Sequence, residues 1–140
     1  SGDMYNKGNN MMHTIRQVIN DDELFRKILR GLTETFYHKT VDSKEIEEYI
    51  TKQSGKDLSK IFDEYLRSTK IPVLEYKING DKLSYHWANC IDGFNMPVKL
   101  AKSDEWLSPT TEWKSTTVTA DLQNDFGVDK NFYISVKKVE

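Results

Sequence analysis

The residue types that most often perform chemistry are sparse in this chain and poorly spaced for it. There are three histidines, His13, His38 and His86. A zinc protease needs two histidines one helical turn apart, with a glutamate beside the first, so that both rings face one metal while the carboxylate activates water. None of the three opens such a His-Glu-x-x-His pattern. His86 and Cys90 stand four apart, but His86 falls in a stretch with strand periodicity, where that spacing does not bring two side chains onto one metal. Cys90 is the single cysteine. It cannot close an internal disulfide, and a small buried hydrophobe is its simplest role. There is no Gly-x-Ser-x-Gly elbow and no glycine-rich phosphate loop. What remains is a short pattern at the head of the chain, Tyr5-Asn6-Lys7-Gly8, running into Met11-Met12-His13-Thr14-Ile15-Arg16. A tyrosine in such a place is ordinarily a surface or packing residue.

Other conspicuous residues have plain explanations. Trp87, Trp106 and Trp113 could stack against sugars, but core packing suits them better, above all Trp87, which shares a strand face with Leu83 and Tyr85. Arg16, Arg26 and Arg30 could meet a substrate carboxylate, while the helical spacing of Arg26 and Arg30 fits surface ion pairs. Lys44, Glu45, Glu47 and Glu48 read as a solvated helix face. Thr110, Thr111, Ser115, Thr116, Thr117 and Thr119 read as an exposed strand edge and loop.

The elements that would position these residues change character near Pro72. Before it, apolar residues recur at helical spacing; after it, they alternate. The spacing predicts a first helix from about Lys7 to Asn20, with Met11, Met12, Ile15, Val18 and Ile19 on one stripe. Asn20 with Glu23 resembles a capping box opening a second helix, whose buried face is Leu24, Phe25, Ile28, Leu29, Leu32 and Phe36. Asp42 with Glu45 marks a third helix, ended by Gly55. Asp57 caps a fourth, striped by Leu58, Ile61, Phe62, Tyr65 and Leu66. Short links between short helices suggest antiparallel packing. Beyond Pro72, Leu74, Tyr76 and Ile78 alternate toward an Asn79-Gly80 turn, and Leu83, Tyr85 and Trp87 return from it. Further strands are expected at 96–100, 116–120 and 132–136, with 103–114 unassigned. The fold class is α+β: a short antiparallel helical bundle over residues 1–70, then a small antiparallel β-sandwich over 71–140.

Composition narrows the function. In 140 residues, 37% are hydrophobic and 11% aromatic, enough to bury a core. Twenty basic and 22 acidic side chains leave a formal charge of −2, with no basic stripe to track phosphates, so nucleic acid is not an expected partner. The longest apolar runs are a few residues, so no membrane span is expected. No signal peptide is visible, and any targeting signal would lie upstream.

The ordered set of short motifs resembles the aminopeptidase N family of zinc metallopeptidases (gluzincins, peptidase family M-one). The family has a Tyr-x-Lys-Gly motif opening a helix well downstream of its zinc motif, matched by Tyr5, Lys7 and Gly8. The resemblance continues through Asn20 to Phe25, through Ser54-Gly55-Lys56-Asp57-Leu58 with Phe62 and Leu66, through Ile71-Pro72, where the family passes from helices to a β-sandwich, and to Phe94-Asn95-Met96-Pro97-Val98. It covers residues 4 to 100, and the order and spacing of the motifs carry it. It implies a carboxy-terminal fragment of an aminopeptidase whose parent removes amino-terminal residues from peptides with zinc-activated water. Zinc belongs to the parent, its ligands and general base lie in an upstream catalytic domain, and no metal ligand lies in this fragment, which is inactive alone. Tyr5 is then the one catalytic residue present. Its hydroxyl, a neutral donor at pH 7, steadies the oxyanion that develops at the scissile carbonyl. Lys7 and Gly8 take structural roles. Surface uncovered by loss of the upstream domain would favour a homodimer, read as a concentration-dependent mass. The competing expectation is a non-catalytic module, or a pseudoenzyme domain, that recognises a peptide or glycan through the exposed strand edge and its tryptophans.

Overall fold

The computed structural model describes residues 2–37, 42–119 and 126–139, with side chains described from residue 10 onward. His38 and the end of the strand expected at 116–120 lie outside the described residues.

The first helix, α1 (Gly2–Ile19), begins five residues before the expected start. No proline stands in Gly2–Asn6 to bar the helix from starting early. Met11, Ile15, Val18 and Ile19 are buried on its inner stripe. The helix stops at Asn20, whose φ of 54° places it in the left-handed region that asparagine tolerates. That conformation disqualifies Asn20 from opening the next helix. The cap of α2 (Asp22–Phe36) is instead Asp21, in extended conformation, with its carboxylate accepting the Leu24 amide at 3.0 Å. On α2 only Phe25 and Ile28 are buried, and Leu29, expected inside, is 39% exposed.

Helix α3 (Ser43–Ser54) has both expected ends. Asp42 accepts the Glu45 amide at 2.9 Å, and Gly55, at φ 70°, donates its amide to the Thr51 carbonyl at 3.1 Å. Helix α4 (Ser59–Arg67) starts two residues after Asp57, whose carboxylate accepts the Ser59 amide at 3.1 Å and the Ser59 hydroxyl at 2.7 Å. Those two bonds hold the Asp57 carboxyl below the usual carboxylate range. Glu47 is not on a solvated face. It is buried and takes a two-point bond from the Arg67 guanidinium, at 2.6 and 3.0 Å, which ties α3 to α4.

The second half begins with β1 (Val73–Asn79) and β2 (Lys82–Ala88), paired antiparallel from Val73↔Ala88 to Asn79↔Lys82. Their two-residue turn is Gly80-Asp81, one residue later than expected, with Gly80 at φ 65° as a turn of the right twist requires. Leu83, Tyr85 and Trp87 are buried as the alternation predicts. Then follow β3 (Val98–Lys99), β4 (Trp106–Leu107), β5 (Lys114–Thr117) and β6 (Ser135–Lys138). One sheet has the order β5-β2-β1-β6, and β3 pairs with β4 in a second. The chain is therefore α+β, but its β half is not purely antiparallel: β6 runs parallel to β1, from Val73↔Ser135 to Tyr76↔Lys138. A long connection allows either direction, whereas the short β1–β2 turn allows one. A single core cluster runs from Met11 and Ile15 through Phe62 and Tyr65 to Trp87, Phe94 and Phe132, so helices and sheets share one interior.

Candidate functional site

Tyr5, Lys7 and Gly8 lie in the first turns of α1, not before it; their side chains lie outside the described residues. The rest of α1 shows how that end of the helix is held. Thr14 interrupts the apolar stripe and is fully buried, at 0% exposure. Its hydroxyl donates to the Asn10 carbonyl at 2.9 Å, a bond within the helix, and accepts the Tyr133 amide at 2.9 Å from 119 residues away. Tyr133 is fixed from its other side, because the Tyr65 hydroxyl donates to its carbonyl at 2.7 Å and the two rings stack with centroids 6.1 Å apart. Burial, aided by the charge of Glu64, pushes the Tyr65 hydroxyl far above its ordinary range, so it stays a neutral donor. Residue 5 stands nine positions before Thr14, about 13.5 Å along a helix. The chain thus anchors α1 to the far end of the β half through two hydroxyls and the backbone N–H and C=O of one residue. Arg16 closes the other end by an ion pair with Asp22 at 2.9 Å.

A second polar joint lies on α4. Glu64 is fully buried, and its Oε1 accepts the Ile91 amide at 2.8 Å. Its Oε2 is buried without a partner among the described residues. The bond fixes the turn between Ala88 and Phe94, in which Asn89 and Gly93 take positive φ and the Asn89 amide group donates to the Ile71 carbonyl at 3.0 Å. Cys90, in that turn, is half-buried, and burial together with Glu64 pushes its thiol up to about 11. It is therefore a protonated, unreactive thiol near neutrality.

His86 and Cys90 do not form a metal pair. The imidazole instead meets Glu75 on β1, with Nε2 2.7 Å from Oε1. Among the described residues no group of three or more His, Cys, Asp and Glu side chains could hold a metal ion. A catalytic zinc takes three protein ligands, so the described residues do not fit one. Trp87 is core, 1% exposed, with its indole N–H donating to the Met96 carbonyl at 3.1 Å. Trp106 packs edge-on against Phe132, whereas Trp113 is 44% exposed on the sheet surface. Arg30 lines an open groove of about 520 Å³ between α2 and α3, beside Gly31, Tyr49 and Gln53.

Of the positioning residues, Thr14, Tyr133 and Glu64 were not singled out by sequence reasoning, and Tyr65 was read only as part of the fourth helix's apolar stripe. Thr14 carried a usable signal, a polar residue inside an apolar stripe. Tyr133 carried none, because its role lies in its backbone. No helix among the described residues is long and apolar enough to cross a membrane.

No family model matches the chain. Over 80 residues, 57% of its length, the chain is 29% identical to the protein called aminopeptidase N of Lactococcus lactis subsp. lactis, of which the match spans 9%. Its fold superposes on the crystal structure of Legionella pneumophila aminopeptidase A in complex with aspartic acid, with a TM-score of 0.69 and 19% identity, over 96% of this chain and 17% of that one. The chain therefore has an aminopeptidase-related fold, spanning a small part of the proteins it resembles.

Proposed function

We propose that this chain is the carboxy-terminal piece of a gluzincin aminopeptidase N, in which residues 1–70 complete the helical part of the catalytic domain and 71–140 form the β-domain that supports it. The observation that carries this reading is the superposition of nearly the whole chain on one sixth or so of an aminopeptidase, in agreement with the sequence match to a protein of the same activity. The substrate of the parent is a peptide with its amino terminus in the cleft. Zinc, its ligands and the general base come from the upstream catalytic domain, and the metal supplies the activated water. The fragment contributes Tyr5 at the head of α1. Its phenol donates one hydrogen bond to the oxygen that becomes negative as the carbonyl carbon turns tetrahedral, and it does so without moving a proton of its own. Such a donor must hold its place to a fraction of an ångström. The buried Thr14–Tyr133–Tyr65 chain supports this requirement by fixing the helix on which Tyr5 rides.

The fragment by itself releases no amino-terminal residue from a peptide, with or without added zinc. The test of Tyr5 joins the upstream region to this chain and compares the parent with Tyr5→Phe. Loss of one oxyanion donor lowers kcat about 100- to 1,000-fold, with KM little changed. Turnover equal to the parent's removes Tyr5 from the mechanism.

A non-catalytic reading has one specific observation in its favour, the exposed indole of Trp113 on the sheet surface. An upstream region without a His-Glu-x-x-His helix would favour that reading over the peptidase.

A further inference from the structure

The outer face of the four-stranded sheet carries a cluster that the peptidase reading does not use. Glu75 and His86 are direct cross-strand partners on β1 and β2, joined at 2.7 Å through Nε2. The other ring nitrogen, Nδ1, lies 3.3 Å from the carbonyl oxygen of Thr111. The indole of Trp113 lies against the imidazole, with centroids 4.1 Å apart and planes at 31°, and the Lys77 ammonium sits 4.9 Å from the centre of the same indole. The segment bearing Thr111 and Trp113 is also tied down by the Trp87 amide, which donates to the Thr110 carbonyl at 2.7 Å, and by the Lys114 ammonium, which donates to the Ser108 carbonyl at 2.9 Å.

Both atoms that face the imidazole nitrogens are acceptors. A neutral imidazole has one N–H and one lone pair. It can donate to the Glu75 carboxylate or to the Thr111 carbonyl, and its second nitrogen then sets a lone pair against the remaining oxygen. The imidazolium donates to both. Its charge is also favourable beside the carboxylate and against the indole. The charged groups around it are Glu75 from β1 and, across the indole, Lys77 from the same strand. Lys114 of β5 has its ammonium on Ser108, and Glu112 stands exposed in the segment itself.

We propose that His86 is a proton-operated clasp. As the imidazolium it fastens the 108–113 segment to the sheet. As pH rises and the proton leaves, the Thr111 contact is given up, the segment loosens, and the inner face of Trp113 is uncovered. The clasp is closed on the acid side of the histidine titration and open on the alkaline side, whether or not the parent is a peptidase.

The test is an NMR titration of the 140-residue chain from about pH 5 to about pH 8, the range in which histidine changes charge. It follows the His86 ring, the Trp113 indole N–H and hydrogen-exchange protection of the Trp87 amide, referenced to amides of the β1–β2 ladder. The Trp113 resonance moves with the same midpoint as the His86 ring, and relative protection of the Trp87 amide falls roughly fivefold on the alkaline side, the scale of one net hydrogen bond. In Glu75→Gln the neutral imidazole is satisfied, accepting from the Gln amide while donating to Thr111, so the segment stays fastened throughout. In His86→Gln the pH dependence vanishes. A His86 ring that titrates while Trp113 and the Trp87 amide stay unchanged overturns the clasp. Dependence that survives in His86→Gln overturns it as well.

Discussion

Thr14 is a small side chain with a long reach. Its hydroxyl gives its hydrogen to Asn10 and takes one from the Tyr133 amide, and Thr14 itself is fully buried. Thr14→Val keeps the shape and removes the oxygen, which leaves the Tyr133 amide without its acceptor. The expected loss is about 1–3 kcal/mol of unfolding free energy, seen as a lower urea midpoint, while Thr14→Ser loses less because it keeps the hydroxyl. Equal midpoints for Val and the parent would show that the amide finds another partner. At this scale the caps were legible in the sequence: Asp42 and Gly55 do what their types dictate, because a cap is decided within four residues. Asn20 was misjudged by one position, since an asparagine can end a helix as readily as start one. Thr14 shows in the sequence only as a polar residue inside an apolar stripe and Glu64 not at all, because their partners, Tyr133 and Ile91, are backbone groups far along the chain.

Among the elements, α2 and α3 meet through a glycine. A Cβ on Gly31 would lie 2.0 Å from the Tyr49 hydroxyl oxygen and 3.1 Å from the ring carbon that bears it. Tyr49 is held there by its edge-on contact with Phe36, at 5.8 Å between centroids. Alanine is intrinsically better than glycine inside a helix by about 1 kcal/mol, but the Tyr49 ring must leave its place to admit the new atom, which costs about 1–3 kcal/mol. Gly31→Ala is therefore expected to lower Tm. In a Tyr49→Phe background the oxygen is gone, and the same change is expected to be neutral or to raise Tm. A double-mutant cycle measures the difference, and identical effects in both backgrounds would refute the contact. The four helices and the β1–β2 pair were readable because each repeats its period over at least two turns or several alternations. Strand β4 was not, because two residues, Trp106 and Leu107, carry no period at all. Strands β5 and β6 were displaced by two or three residues, because their side chains are exposed and mark no buried face.

Taken as a whole, the molecule joins its helices and its sheets through one interior. Ile15, Phe62 and Tyr65 share one core cluster with Leu83, Trp87 and Phe132, and Thr14–Tyr133, Tyr65–Tyr133 and Glu64–Ile91 are polar joints between them. Thermal unfolding followed by helical circular dichroism and by tryptophan fluorescence is expected to give coincident transitions, as for a single cooperative unit. A helical signal that melts separately would instead favour residues 1–70 and 71–140 as two units. The parallel pairing of β6 with β1 was beyond the sequence, because direction is free when the connection is long. The Thr14–Tyr133 bond also sets a schedule. Synthesis proceeds from the amino terminus, so α1 leaves the ribosome more than a hundred residues ahead of the amide that fixes its tilt. Until residue 133 arrives, the long-range bond to Thr14 cannot form, and the helix that carries Tyr5 waits for that part of its bearing.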